Sequence, residues 1–190
     1  MRETRLAPGL LLAMPQLDDP NFARAAVLMI EHGDEGSFGL VINQPTQATA
    51  REVLGELEVP WAGPAEAVTY CGGPVSPSTG WVLHEPIAGW PTPDGSAGTV
   101  EIAPGVWLST SLDRLRLLAR EAPPRLRILL GYSGWAAGQL AVEMARGSWL
   151  HADLDPDLVF DAPPDQIWSR AVRSVGIANP EAIVPAVGVH

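Results

Sequence analysis

The sequence predicts an α+β domain in which a mixed, mostly antiparallel sheet is flanked by helices. Short apolar runs bounded by glycine and proline, which are typical of strands, dominate the first half of the chain. Apolar residues at helical spacing dominate the second half. The sequence has neither a repeating βαβ pattern nor an internal repeat, so a purely parallel sheet is disfavoured.

The length and composition indicate one globular domain. The 190 residues favour a single unit spanning 1–190, and they can bury a sizeable core. Hydrophobic residues make up 46% and charged residues 18% of the chain, which is typical of a globular rather than a disordered protein. The 19 glycines and 19 prolines predict many turns and rather short helices and strands.

The predicted strands share a short apolar run that ends at a turn signal. In the first half they are 10–14, 25–32, 37–43, 67–71, 80–85 and two short strands within 99–110. The turn GDEG joins the second and third of these into a β-hairpin, and Pro104-Gly105 joins the last two. The loop 86–98 contains three prolines and is expected to be exposed and mobile.

The predicted helices share an apolar face and a capping signal at one end or both. They are 49–59, 111–122, 139–146 and 164–176, and residues 18–24 form a turn that opens one helical turn. Further strands are expected at 126–130, 148–155 and 157–160, and a loose tail begins at about 177. The stretch GYSGWAAG, residues 131–138, is expected to form the turn from a strand into the third helix.

The same stretch raises two chemical possibilities, and the motif is incomplete for each. A nucleophile elbow needs G-x-S-x-G around Ser133, but Trp135 occupies the last position. A phosphate-binding P-loop needs a lysine, and the chain has none. A triad of Ser133 with His151 and a later aspartate has no diagnostic spacing. The sequence favours a structural turn whose glycines make room for Trp135, with an anion site at the helix start as the lesser alternative.

The histidines and the cysteine do not form a metal motif. His32, His84, His151 and His190 show neither H-x-x-x-H nor H-E-x-x-H spacing, so no metal and no cofactor are predicted. The single cysteine, Cys71, excludes an internal disulfide and fits a reducing compartment, so we expect a cytoplasmic protein. No apolar run approaches the ~20 residues that a membrane span needs.

The charge pattern disfavours direct nucleic-acid binding. All 12 basic residues are arginine, and the formal net charge is -10. Affinity for nucleic acid comes largely from neutralising phosphates, which an acidic chain does poorly. The arginines cluster only at Arg114, Arg116, Arg120, Arg125 and Arg127, and these are expected to lie on a solvated face.

Five stretches occur in order over residues 6–176: LLLAMPQLDDPNFARAAVLMIEH, GSFGLVINQP, CGGPVSPSTGWVLHE, LGYSGWAAGQLAVEM and SWL. Together they resemble the YqgE/AlgH family of small bacterial proteins. The resemblance implies a bifurcated sheet that forms a pseudo-barrel with helices packed outside, within a single cytoplasmic domain. It implies no established biochemical activity, although one branch of the family carries the label of transcriptional regulator.

The polar and glycine positions of these stretches, with Trp135, are the candidate site residues. They are Asp18, Asp19, Arg24, Glu31, His32, Asn43, Gly72, Gly73, His84, Tyr132, Gly134, Trp135 and Gln139. Some are expected to converge where the GGP loop, the hairpin ends and GYSGW meet. The alternative is that they are buried hydrogen-bonding residues that fix loops. The chain has GQLA at 138–141 where the family usually has GQLE, which leaves Glu143 as the nearby carboxylate.

The lack of a complete catalytic motif favours a non-enzymatic binding or regulatory module. Such a module would act through an unidentified protein partner or a small ligand, and no residue is assigned as catalytic. One alternative is an enzyme of unassigned class with a polar cleft near His32, His84 and GYSGW. Another is a transcriptional regulator that acts indirectly. The sequence does not define the oligomeric state.

Overall fold

The computed structural model describes residues 5–91 and 93–183. The strands are Gly9–Ala13 (β1), Ala26–Gly33 (β2), Gly36–Val41 (β3), Pro45–Thr49 (β4), Val68–Cys71 (β5), Val75–His84 (β6), Thr99–Ala103 (β7), Val106–Ser109 (β8), Leu126–Ala136 (β9) and Trp149–Ala152 (β10). The helices are Ala50–Gly55 (α1), Leu112–Arg120 (α2), Gln139–Ala145 (α3), Pro156–Phe160 (α4) and Pro164–Ser174 (α5). Single 3₁₀ turns occur at Pro20–Phe22 and Pro180–Ala182.

The strands form one curled sheet that branches at β9. The hydrogen-bonded order is β10-β1-β2-β3-β9-β6-β8-β7, and β4 and β5 form a side branch. The end of β9 pairs with β3, while its start pairs with β6 and, in parallel, with β5. The prediction of a mixed, mostly antiparallel, bifurcated sheet is confirmed, and the sheet curls into a half-barrel flanked by the five helices of the described chain.

Both faces of the central strands are buried, which explains why β1 is apolar throughout rather than alternating. Leu10 and Leu12 point into one core layer, which α5 covers with residues such as Trp168. Leu11 points into a second layer, which α3 closes with Leu140. A third, smaller cluster lies under α1 and α2. The two layers hold the central strands in place and position the ends of the hairpin β2–β3.

Local capping signals define the starts of α1 and α2 as the sequence predicts, whereas α1 ends at Gly55 and not at residue 59. The Thr49 hydroxyl accepts a hydrogen bond from the backbone N–H of Glu52, and the Glu52 carboxylate accepts one from the Thr49 N–H, which completes a capping box. Ser111 caps α2 by accepting the Arg114 N–H with its side chain, without a capping box. Gly147, with φ of +74°, follows the last turn of α3. Within the described residues, none of the helices has the length and apolarity that crossing a membrane requires.

The GYSGW stretch is strand, so the prediction of a turn there is wrong. β9 continues through it to Ala136, and the turn into α3 is only Ala137 and Gly138. The glycines act through close strand approach instead: a Cβ on Gly73 would overlap the backbone of Tyr132, and one on Gly131 would overlap the carbonyl of Gly73. Backbones can lie this close only where both strands lack side chains at the contact.

Two further local predictions differ from the structure. Residues 157–160 belong to a helix, because Asp155 caps it through the Asp157 N–H and Pro156 occupies its first turn. A short apolar run does not distinguish a strand from a buried helical turn. The tail that was expected to be loose is ordered in part, since Ile177 packs on the core and Pro180 is buried. Residues 184–190, with His190, lie outside the described chain.

Candidate functional site

A polar cleft of about 930 Å³ lies at the end of the β2–β3 hairpin. Its walls come from residues 5–7, from the hairpin end at 30–37 and from the start of α3. The polar side chains that line it are Arg5, Glu31, His32, Asp34 and Ser37. Of the candidate site residues, Glu31 and His32 therefore line one open cleft.

His32 and Ser37 form a hydrogen-bonded pair in this cleft. They are opposite each other in the register of β2 and β3, and Nδ1 of His32 lies 2.8 Å from Oγ of Ser37. Ser37 is in turn opposite Trp135 of β9, so the pair lies beside the GYSGW stretch. Arg5 brings a positive charge to the lining, and Glu31 and Asp34 bring two negative charges. The cleft can therefore offer ionic contacts of both signs.

Glu143 of α3 organises the aromatic layer next to the cleft. Its Oε2 accepts the indole N–H groups of Trp135, at 3.0 Å, and Trp149, at 2.8 Å. Its Oε1 accepts the side-chain amide of Gln139, whose own oxygen accepts the Ala136 N–H. Trp135 and Gln139, both candidate site residues, thus fix α3 against β9. Glu143 was not among the predicted site residues, although its spacing of four from Gln139 on a predicted helix indicates that the two side chains are neighbours.

His84 lies elsewhere and is fully buried. It pairs with Leu126 at the start of β9, whereas the cleft lies beyond the other end of that strand. Its Nδ1 donates to the Glu85 carbonyl at 2.8 Å, so its Nε2 accepts the Ser109 hydroxyl, which also bonds to Thr99. Burial lowers the pKa of His84, with the neighbouring Glu85 opposing that shift. The structure therefore does not bring His32 and His84 together in one cleft.

Four candidate residues lie before β2 or after β3, and three of them hold the loops there together. Asp19 caps the first 3₁₀ turn through the Asn21 N–H, and Asp18 is exposed. Asn43 accepts the Ala26 N–H and donates to the Arg24 carbonyl. Arg24 has a left-handed φ of +51°, and its guanidinium lies 5.2 Å from the centre of a Trp168 ring and pairs with Glu181. Asp19, Arg24 and Asn43 thus have structural partners, and all four residues lie outside the cleft lining.

The remaining candidates form the junction between the GGP loop and β9. Tyr132 packs against Phe38 and Trp81, with ring centres 5.1 and 6.1 Å apart. Gly134 is opposite Phe38. Gly72 and Gly73 approach the β9 backbone closely, and the Ser133 hydroxyl donates to the Gly72 carbonyl at 3.2 Å. At this junction the candidate residues pack the GGP loop and β9 against each other.

The structure also shows the surroundings of Ser133, the candidate nucleophile, and of the residue types that could bind a metal. Ser133 is fully buried, and His151 lies on β10 with β1, β2 and β3 between its strand and β9. These two residues therefore cannot form a triad. Cys71 is half-buried and its thiol faces the Gly73 carbonyl at 3.8 Å. In the part of the chain that the structure describes, no three His, Cys, Asp or Glu residues are grouped to hold a metal ion.

Arg127 departs from the expectation of a solvated arginine face. It is 5% exposed and donates to the carbonyls of Val159 and Ala162, and to that of Ile42. Its guanidinium also stacks on Tyr70 at 4.5 Å. Burial lowers the pKa of this guanidinium. Side chains alternate between the two faces of β9, and this alternation points Arg127 into the core. Its charge alone predicts an exposed side chain instead.

The chain matches known proteins along most of its length. Residues 10–180 match a family model described as AlgH-like. A UPF0301 protein of Myxococcus xanthus is 42% identical over 186 residues, which cover 97% of this chain and 98% of that protein. The UPF0301 protein Tgr7_2910 of Thioalkalivibrio sulfidiphilus is 40% identical over 169 residues, 88% of each chain.

Solved structures share the fold. The solution structure of the AlgH protein from Pseudomonas aeruginosa superposes with a TM-score of 0.74 at 34% identity and covers 100% of both chains. The crystal structure of protein DIP2367 from Corynebacterium diphtheriae has a TM-score of 0.77 at 22% identity, a likeness of fold alone, and covers 97% of this chain and 94% of that one. Motifs, sequence match and fold agree, and the chain belongs to the AlgH-like family.

Proposed function

We propose that the protein is a non-enzymatic binding module that takes up a small amine-bearing ligand in the cleft at the hairpin end. The observation that carries this proposal is the mixed polar lining of a cleft of about 930 Å³. Two carboxylates, Glu31 and Asp34, can pair with a cationic amine, and Arg5 can pair with a carboxylate of the same ligand. The lining has more acid than base, which favours free amino acids with basic side chains.

The surroundings of the cleft support binding rather than chemistry. The Glu143 contacts with Trp135, Trp149 and Gln139 brace α3 beside the cleft, so one wall is rigid. Apolar residues of the lining, such as Ile30 and Leu140, can cover the aliphatic part of a ligand. We place this function in the cytoplasm, because a single cysteine suits a reducing compartment. A bound ligand could control a protein partner and so give the module an indirect regulatory role.

The test is a titration of the protein with free amino acids, followed through its backbone amide NMR signals. We expect lysine and arginine to shift signals of residues 30–37 and 138–141, and glutamate to do so only at higher concentration. Glu31→Gln and Asp34→Asn should each weaken binding about tenfold, the effect of losing one charge-assisted contact. Glu101→Gln, an exposed change on β7, is the control and should leave binding unchanged. Preferred binding of acidic compounds, or shifts outside the cleft only, would contradict the proposal.

An enzyme at the same cleft is the second candidate, and the His32–Ser37 hydrogen bond favours it. In that case His32 would act as a proton acceptor beside a bound substrate. The NMR signals of the added compound distinguish the two functions, because a binding module leaves the compound unchanged over time. Product signals that vanish in His32→Ala would establish the enzyme instead.

A further inference from the structure

An apolar groove lies between α1 and α2, away from the polar cleft. Its floor consists of Trp81, Ile128 and Leu130 from β6 and β9, and Leu57 and Leu112 stand on its two walls. The groove has a volume of about 170 Å³. It is narrow and apolar, so it suits side chains of another protein surface better than a polar metabolite.

The walls of this α1–α2 groove expose large apolar side chains. Leu57 is 51% exposed and Leu112 is 43% exposed. Single exposed leucines are ordinary on protein surfaces, but two that flank one groove form a continuous apolar strip. Leu117 on the same helix is 46% exposed and does not line the groove. The apolar strip therefore lies along the groove and does not extend over the other exposed face of α2.

The two segments that flank the groove, residues 50–58 and α2, carry opposite charges, and on the first of them the net charge comes from Glu56 and Glu58 in the turn after α1. α1 and the turn after it contain Glu52, Glu56 and Glu58 with one arginine. α2 contains three arginines with one aspartate, and Arg114 is turned away over the Trp90 ring at 4.2 Å.

Two arginines of α2 share a helix face with Leu112 of the groove wall, although they do not themselves line the groove. Leu112, Arg116 and Arg120 succeed one another at four-residue spacing and so share one helix face. Arg116 has only a long, exposed contact of 3.4 Å with Asp113 of the same helix. Surface pairs of this kind contribute little, so Arg116 can exchange this partner for an acidic one on another molecule.

We propose that the α1–α2 groove is the interface of a homodimer with two-fold symmetry. In such a pair the same patch of both copies meets, so α1 of one copy lies on α2 of the other, twice over. The acidic segment 50–58 then faces the basic α2 at both places. Leu57 and Leu112 of each copy bury their exposed area at the centre. A second copy of the chain necessarily carries both an acidic and a basic segment in the complementary arrangement, and no other partner necessarily does.

The first experiment measures the mass of the full chain by sedimentation across a concentration series. We expect twice the 20.2 kDa of a single chain at high concentration. Leu112→Glu places a charge in the apolar strip and should leave only monomer. Leu117→Glu is the matched control, because it adds the same charge to an equally exposed leucine of the same helix outside the groove, and it should still dimerise. A chain that stays monomeric throughout, or equal effects of both substitutions, would overturn the proposal.

The second experiment exchanges charges, so the test does not depend on one substitution. Glu56→Arg with Glu58→Arg makes both segment 50–58 and α2 basic, and Arg116→Glu with Arg120→Glu makes both acidic. Each double variant alone should dimerise about tenfold more weakly, as the loss of several exposed ion pairs implies. An equimolar mixture of the two double variants should form a heterodimer. At both places in that heterodimer a basic segment of one variant faces an acidic segment of the other. If the mixture dimerises no better than its components, the α1–α2 groove is not the interface, and any dimer seen uses another surface.

Discussion

Three N–H groups converge on the carboxylate of Glu143, and none of them belongs to a charged side chain. Two are the indoles of Trp135 and Trp149, which are 6% and 4% exposed and have little access to water. A buried N–H that loses its acceptor costs about 1–3 kcal/mol. The carboxylate therefore acts at the residue scale as the common acceptor that allows two tryptophans to be buried side by side.

Replacing Glu143 should destabilise the protein according to how many acceptors remain. We expect Glu143→Ala to lower the free energy of unfolding by about 3 kcal/mol, because both indoles lose their acceptor. Glu143→Gln keeps one carbonyl oxygen for the indoles and should cost about 1 kcal/mol. Urea unfolding followed by tryptophan fluorescence measures both. The exposed Glu101→Ala should change the free energy by less than about 0.5 kcal/mol; a Glu143→Ala protein as stable as this control would refute the role of the carboxylate.

At the scale of elements, β9 is the strand on which the sheet depends. It pairs with β3, β5 and β6, and no other strand of the described chain pairs with three. Arg127 extends its contacts further, since it donates to carbonyls at the end of α4 and after β3. The glycines at the GGP loop let that loop lie directly on β9. The branching of the sheet therefore rests on residues that lack a side chain.

Substitution by alanine should affect the stability of the protein very differently at two glycines of the same region. In Gly73→Ala the added methyl would overlap the backbone of Tyr132, at a residue whose φ of +148° already disfavours a side chain. We expect a loss of about 2–4 kcal/mol or failure to fold. Gly80 in β6 has open space at its Cβ position, so Gly80→Ala should be tolerated. Thermal unfolding of the two variants tests the idea, and equal melting temperatures would show that the close approach is not required.

At the scale of the whole molecule, the buried hydrogen-bond chain of Thr99, Ser109 and His84 links stability to pH. Burial lowers the pKa of His84, so the folded protein resists a proton that the unfolded chain takes up near the ordinary value of about 6.5. The contribution of His84 to the free energy of unfolding should therefore be constant above that pH. Below it, the free energy of unfolding should fall as the pH decreases. His151 acts in the same direction, since burial lowers its pKa as well.

Removing His84 separates its contribution from that of His151. We expect His84→Gln to be less stable than the wild type at neutral pH, because the pair with Ser109 is disturbed, and to lose less stability on acidification. Chemical denaturation between neutral pH and pH ~5 compares the two slopes, and His151 contributes equally to both proteins. Identical slopes would show that His84 does not carry the dependence.

The candidate site was predictable only in part. Glu31 and His32 stand at the end of a predicted hairpin and do line the cleft. Arg5 was not predicted, because the segment before β1 meets the hairpin end only after the sheet has formed. Asp34 and Ser37 lie in the predicted hairpin beside His32 and were nevertheless not predicted as site residues. His84 lies in a strand end that resembles that of His32 in sequence, yet it pairs at the far end of β9. Neighbours in a sheet are separated by many residues, so spacing along the chain does not reveal them.

The sequence by itself determined the fold class, the β2–β3 hairpin and the starts of α1 and α2. Those depend on local signals, such as the caps at Thr49 and Ser111, that act within a few residues. Only the tertiary structure decided that GYSGW continues as strand and that Arg127 is buried. Both outcomes follow from contacts between distant residues: the GGP loop meets β9 only because the glycines on both sides permit it. Register then determines which side chains of β9 face the core, and no local pattern contains that information.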